Sequence, residues 1–231
     1  MAHLGLADGR SLVDVAGGTG NYAQVFAVRG FRVIMLDAHV AMAEHAARKL
    51  DPGHTAVGDG VALPFPDGAF DCATIIHGLH LVAEPARALA EARRVVRAGP
   101  LVVVDPMREN VPAFVHEYFG LRPPEDARPG TQDVERMLMA AGFGTVVHER
   151  IVYTDSVDGS LSALHTSAMH LAGPAYLRNT SFWHGLDEET RRRGLRALAR
   201  DLRSGALDRR VEQHFRLAVE RGHETVFAAL P

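Results

Sequence analysis

Ser11-Leu12-Val13-Asp14-Val15-Ala16-Gly17-Gly18-Thr19-Gly20-Asn21-Tyr22 passes from an apolar run, through a glycine cluster, into a helical pattern that continues to Val28. That order is strand, tight turn, helix. Glycines allow positive φ and let the backbone approach a ligand, because no Cβ intervenes. The helix that follows offers free N–H groups and a positive dipole end. A second apolar run, Phe31 to Leu36, ends at Asp37. A carboxylate there can accept hydrogen bonds from the two hydroxyls of a ribose. The chain therefore opens with a nucleoside-binding βαβ unit.

Two cofactors fit such a unit. Gly18-x-Gly20-x-x-Ala23 satisfies the relaxed dinucleotide pattern. Asp14, inside the first strand, points the other way: it would repel a pyrophosphate and can hold the ammonium of an aminoacyl group. The plainer reading of Asp14 is a turn cap. Downstream come Val57-Gly58-Asp59-Gly60, then Leu63-Pro64-Phe65-Pro66-Asp67-Gly68-Ala69-Phe70-Asp71, then an apolar strand, Cys72 to Ile76. A helix, Glu84 to Ala98, a Gly99-Pro100 stop and a strand, Leu101 to Val104, follow, with Asp105-Pro106 after them.

This series resembles the class I SAM-dependent methyltransferases, in particular the small-molecule, ubiquinone-methyltransferase-like branch. The resemblance covers about residues 1–150. It implies S-adenosyl-L-methionine as cofactor and S-adenosyl-L-homocysteine as product. Asp14, Ala16, Gly17, Gly18 and Gly20 match the glycine motif, Asp37 with Ala38 the ribose-binding position, and Asp59-Gly60 the adenine-binding pair. His77 is expected on the cofactor wall and His80 as a candidate general base. Ala16 stands where the family prefers glycine, and its methyl group is expected to fit if φ is negative. The implied activity is methyl transfer to a small organic acceptor, with O-methylation favoured, N- and C-methylation open, and a role in secondary metabolism. An NAD(P)-dependent oxidoreductase and a SAM-binding non-catalytic helper remain as alternatives. Against the oxidoreductase, no Tyr-x-x-x-Lys pair occurs, since Lys49 is the only lysine.

At 231 residues, with 47% hydrophobic and 23% charged content, the chain has the make-up of a soluble globular protein. Net charge is −3, so no overall basic field draws it to nucleic acid or anionic lipid. We expect a small-molecule acceptor as partner, no nucleic acid and no membrane, with a homodimer left open and the cytoplasm as compartment. The single Cys72 excludes an internal disulfide and reads as core. The histidines show no metal-ligand spacing, so no metal is expected.

Strand–helix alternation through residue 104 predicts an α/β fold: a doubly wound, Rossmann-like seven-stranded sheet with the last strand antiparallel. A helical cap is inserted before that strand. The expected division is 1–154 plus 223–231 for cofactor binding and 155–222 for the cap. Further elements are a short helix from Pro112 to Phe119, a helix from Thr131 (as cap) to Ala141, a strand from Thr145 to Thr154, and helices Ser160–Ala172, Glu188–Ser204 and Val211–Arg221. His223 to Leu230 reads as the last strand.

Relatives usually carry N-terminal helices over the cofactor, and some ten residues precede the first strand here. The cap helices, a longer gene product or another chain are the expected substitutes. Asp105, Met107, His116 and Tyr118 are candidate acceptor contacts. His165, His170, Tyr176, Trp183 and His184 are further polar and aromatic cap residues. Arg191-Arg192-Arg193 reads as a solvated helix face balanced by Asp187, Glu188 and Glu189.

Overall fold

The computed structural model describes residues 2–110, 113–121, 128–153, 177–178 and 181–231. The expected helix Ser160–Ala172, with His165, His170 and Tyr176, lies outside them. They divide into two compact units, 1–105 with 129–149 and 225–231, and 106–128 with 150–224.

The first unit is built on a seven-stranded sheet of order β3-β2-β1-β4-β5-β7-β6. β1 (Ser11–Val15) is flanked by β2 (Arg32–Asp37) and β4 (Cys72–Ile76), both parallel to it. β3 (Thr55–Val57) extends the sheet beyond β2, and β5 (Leu101–Asp105) lies beyond β4. β7 (Glu224–Leu230) runs antiparallel to β5, pairing Thr225 with Asp105. β6 (Thr145–Ile151) forms the far edge. Leu12 to Val15 are all buried, as a central parallel strand covered on both faces requires. The chain order reverses between β1 and β4, and such a switch point opens a crevice at the carboxyl ends of the strands.

Helices α1 (Asn21–Val28), α2 (Val40–Ala47), α3 (Pro85–Val95) and α5 (Thr131–Ala140) belong to this unit. α3 starts with Pro85, whose fixed φ suits a first helical position. It buries Ala88, Leu89, Ala92 and Val95, one stripe at helical spacing. The sheet core joins Leu12, Val33, Met35, Ala43, Ala46 and Leu50. Thr131, expected as a cap, is instead the first helical residue of α5. Gly130 takes the cap position, and its N–H donates to the Asp133 carboxylate at 2.9 Å.

The second unit contains α4 (Ala113–Glu117), α6 (Ser181–His184), α7 (Glu188–Arg203) and α8 (Ala206–Arg221). Asp187 caps α7, accepting the Thr190 N–H at 2.8 Å. α8 begins five residues earlier than expected, because Gly205 (φ +70°) turns the chain straight back into helix. Val115, Phe119, Trp183, Leu198, Leu207 and Val211 form its core. The Phe119 ring presses on Gly194 so closely that a Cβ there would overlap it. Arg191, the first of the arginine run, lies over the Trp183 ring at 5.4 Å. Among the described residues no helix is long and apolar enough to cross a membrane.

Candidate active site

A cavity of about 570 Å³ opens in the first unit at the switch point. Ala16, Gly17, Gly18, Asp37, Ala38, Asp59, Gly60 and His77 all line it, so eight of the ten expected cofactor residues converge there. Gly20 does not line the cavity. It caps α1 at φ +77°, and a Cβ on it would come within 2.8 Å of Ala46 Cβ. Its role is to let α2 approach the turn.

Asp14 sits directly beneath the turn. It is 1% exposed, and Thr74 Oγ1 donates to its Oδ1 at 2.7 Å. Its Oδ2 has no hydrogen-bond partner among the described residues. A Cβ on Gly17 would lie 2.8 Å from that oxygen, so glycine is required there. Burial pushes the Asp14 carboxyl up to about 7; the Thr74 hydrogen bond opposes this, and the charge of Asp37 adds to it. A buried, underused carboxylate beneath a ligand-sized cavity is complementary to a cationic ligand group.

Asp37 is tied into the glycine turn. Its Oδ2 accepts the Gly18 N–H at 2.9 Å and its Oδ1 the His39 N–H at 2.9 Å. This cross-link joins the turn after β1 to the start of α2. Asp59 Oδ1 accepts the Val61 N–H at 3.0 Å, shaping the turn that bears Gly60. The segment after it is clamped from α3. Arg94 donates to the carbonyls of Leu63 (3.0 Å) and Phe65 (2.8 Å), and pairs with Glu91 through two hydrogen bonds at 2.7 and 2.8 Å.

Ala16 and His77 follow the two central strands and both are left-handed, at φ +56° and +55°. The condition set for an easy fit of the Ala16 methyl, a negative φ, is therefore not met. The chain must turn sharply off β1 there, which glycine would do without steric cost. Close packing accompanies the turn: a Cβ on Gly78 would meet Ala16 Cβ at 2.7 Å. The His77 ring meets Tyr22 edge-on, 5.8 Å between centroids.

His80 lies in a short 3-10 turn, Leu79–Leu81, just after the cavity-lining His77 and Gly78. Asp105, at the carboxyl end of β5, is fully buried. His80 Nδ1 donates to Asp105 Oδ1 at 2.6 Å, and the His80 backbone N–H to Oδ2 at 3.2 Å. Asp105, expected to meet the acceptor, thus holds His80. With Nδ1–H engaged, Nε2 is the basic nitrogen.

The other expected acceptor contacts are built into the second unit. Met107 is buried, and its N–H donates to Asn110 Oδ1 at 2.8 Å. His116 is buried as well. The Tyr118 hydroxyl donates to Asp201 at 2.7 Å; burial, with the Asp201 carboxylate, pushes its pKa up to about 12.

Thr19, Asn21, Tyr22, Met42, Leu81 and Glu84 also line the cavity, and sequence reading did not single them out. Tyr22 carried a usable signal, being in the first turn of the helix that leaves the glycines. No described residue lining the cavity is lysine or arginine, while Asp37, Asp59 and Glu84 are acidic.

The family model for a methyltransferase domain matches residues 13–104. A demethylmenaquinone methyltransferase of Renibacterium salmoninarum is 38% identical over 117 residues, 51% of this chain and 46% of that protein. A ubiquinone/menaquinone biosynthesis C-methyltransferase of Paracoccus denitrificans is 41% identical over 112 residues, 45% of each chain. The chain thus spans about half the length of these curated relatives. A solved structure from Anabaena variabilis, assigned as a methyltransferase of an antibiotic biosynthesis pathway, superposes with a TM-score of 0.82 at 19% identity, covering 99% of this chain and 94% of that one. That likeness shows the fold. Residues 13–104 thus match a methyltransferase domain, and about half of the chain is similar to ubiquinone and menaquinone methyltransferases.

Proposed function

We propose that the protein is a SAM-dependent methyltransferase acting on a small organic acceptor. The observation that carries this is the charge of the cavity: three lining carboxylates, Asp14 beneath the turn, and no lining lysine or arginine among the described residues. Such a wall favours a sulfonium and an ammonium and opposes a pyrophosphate. It therefore supports SAM over a nicotinamide dinucleotide. In this reading Asp37 would hold the ribose and Asp59-Gly60 the adenine; all three line the cavity.

Bound SAM supplies an electrophilic methyl group. What remains for the protein is to align the acceptor and, where the acceptor must lose a proton, to take it. His80 Nε2, oriented by Asp105, is suited to that role. The matched relatives are named as C-methyltransferases of quinone biosynthesis and as demethylmenaquinone methyltransferases, which favours carbon of a hydroxylated ring over oxygen as the site of methylation. O-methylation of a small phenol is the second reading, since the same base would generate a phenolate.

The test is incubation with methyl-labelled SAM and a set of reduced demethylated naphthoquinols and simple phenols, with product mass and fragmentation read out. A ring-methylated quinol is the expected product. Methyl ethers would support the second reading, and no labelled product from any acceptor would contradict the proposal.

A further inference from the structure

Among the described residues, Asp37 and Lys49 both hydrogen-bond into the glycine turn. Asp37 does so through Gly18. Lys49 is the only lysine in the chain. Its Nζ donates to the Thr19 carbonyl at 2.9 Å and to Asn21 Oδ1 at 2.6 Å. Thr19 and Asn21 line the cavity; Lys49 does not. It stands just past the end of α2, and its own N–H donates to the Ala46 carbonyl at 2.8 Å. Ala46 is the residue that Gly20 allows to pack against the turn. Lys49 therefore clips the end of α2 onto both sides of Gly20.

The two ties differ in what ligand binding asks of them. Asp37 is the carboxylate a ribose would use, so its bond to Gly18 must then be shared. Lys49 reaches the turn from behind and has no such second demand. It also sets a cation behind a wall whose lining charges are acidic, which offsets the repulsion that wall would exert on a ligand carboxylate.

We propose that Lys49 is a positioning residue for the cofactor site: its ammonium holds Thr19 and Asn21 in the shape that receives the aminoacyl end of the cofactor. This inference rests on the SAM reading above. A guanidinium can bridge the same two oxygens, whereas a thioether of similar length cannot.

The test compares the wild type with Lys49→Arg and Lys49→Met, using calorimetric titration with S-adenosylhomocysteine. Losing two hydrogen bonds to the turn predicts affinity weakened about tenfold or more in Lys49→Met and largely kept in Lys49→Arg. A purely structural role would lower the melting temperature without this rescue pattern. A second readout uses the folded wild type alone. Acetylation of Lys49 by an N-hydroxysuccinimide ester, followed by mass spectrometry, is expected to slow when S-adenosylhomocysteine is bound. Wild type that binds, with Lys49→Met equal to it or with labelling unaffected by ligand, overturns the role of Lys49. Wild type that binds no S-adenosylhomocysteine overturns the SAM reading and this inference with it.

Discussion

His80 and Asp105 form a pair in which one carboxylate accepts from both the side chain and the backbone of the same histidine, at 2.6 and 3.2 Å. The two contacts fix ring and main chain together, and the buried carboxylate keeps the proton on Nδ1. Asp105→Asn would offer an amide N–H to Nδ1 and favour the tautomer with the proton on Nε2. The expected outcome is a fall in kcat of roughly 10²-fold or more for an acceptor that must be deprotonated. Affinity for S-adenosylhomocysteine should change less than threefold. Steady-state kinetics beside calorimetry checks this; an unchanged kcat would remove His80 from the chemistry.

Asp14 predicts a pH dependence with a definite sign. Its pKa rises from 3.8 to about 7 on folding, chiefly through burial. Between those values the folded protein keeps a proton that the unfolded chain has lost. The stability from this group is therefore fully present below pH 4 and is lost as pH rises through 7, at about 1.4 kcal/mol per pKa unit. Melting temperatures from pH 5 to 8 should fall more steeply for wild type than for Asp14→Asn. A cationic cofactor reverses the preference, because it favours the carboxylate. Titration with SAM near pH 6 should therefore release a proton, seen as a heat that varies with the ionisation enthalpy of the buffer. Asp14→Asn should abolish that variation.

Ala16 is a left-handed alanine with a tightly packed methyl. Ala16→Gly removes a steric cost of about 1 kcal/mol, so the melting temperature should rise by roughly 2–4 °C. Thermal unfolding checks it. Ala16→Val should lower it sharply, since a β-branched side chain tolerates that φ worst.

Much of this arrangement is legible in the sequence. The strand–glycine–helix order, Asp37 and Asp59-Gly60 are local signals, and local signals set where the chain turns and which groups face the carboxyl edge of the sheet. The pairing of His80 with Asp105 was not legible: the two lie 25 residues apart, and only the parallel pairing of β4 with β5 brings them together. Lys49 was likewise invisible as a clip, because Thr19 meets it across 30 residues through the packing of α2. The left-handed φ of Ala16 was not legible, because alanine itself favours negative φ and the requirement to leave β1 at a sharp turn overrides that preference.

Arg94 supports the segment after Gly60 through two carbonyls and a paired carboxylate. Arg94→Lys keeps the charge but cannot make these contacts at once. It should weaken S-adenosylhomocysteine binding several-fold while leaving the His80-dependent kcat at saturation nearly unchanged. A drop in kcat with no change in affinity would contradict this account of the clamp.

The acid-lined turn is held to select an adenosyl amino acid, with its ammonium, over a pyrophosphate dinucleotide. Calorimetric titration of the 231-residue chain with S-adenosylhomocysteine, and in parallel with NADH, tests it most directly. Micromolar binding of S-adenosylhomocysteine with no heat from NADH is the predicted result. Tight NADH binding in the absence of any S-adenosylhomocysteine binding would contradict it.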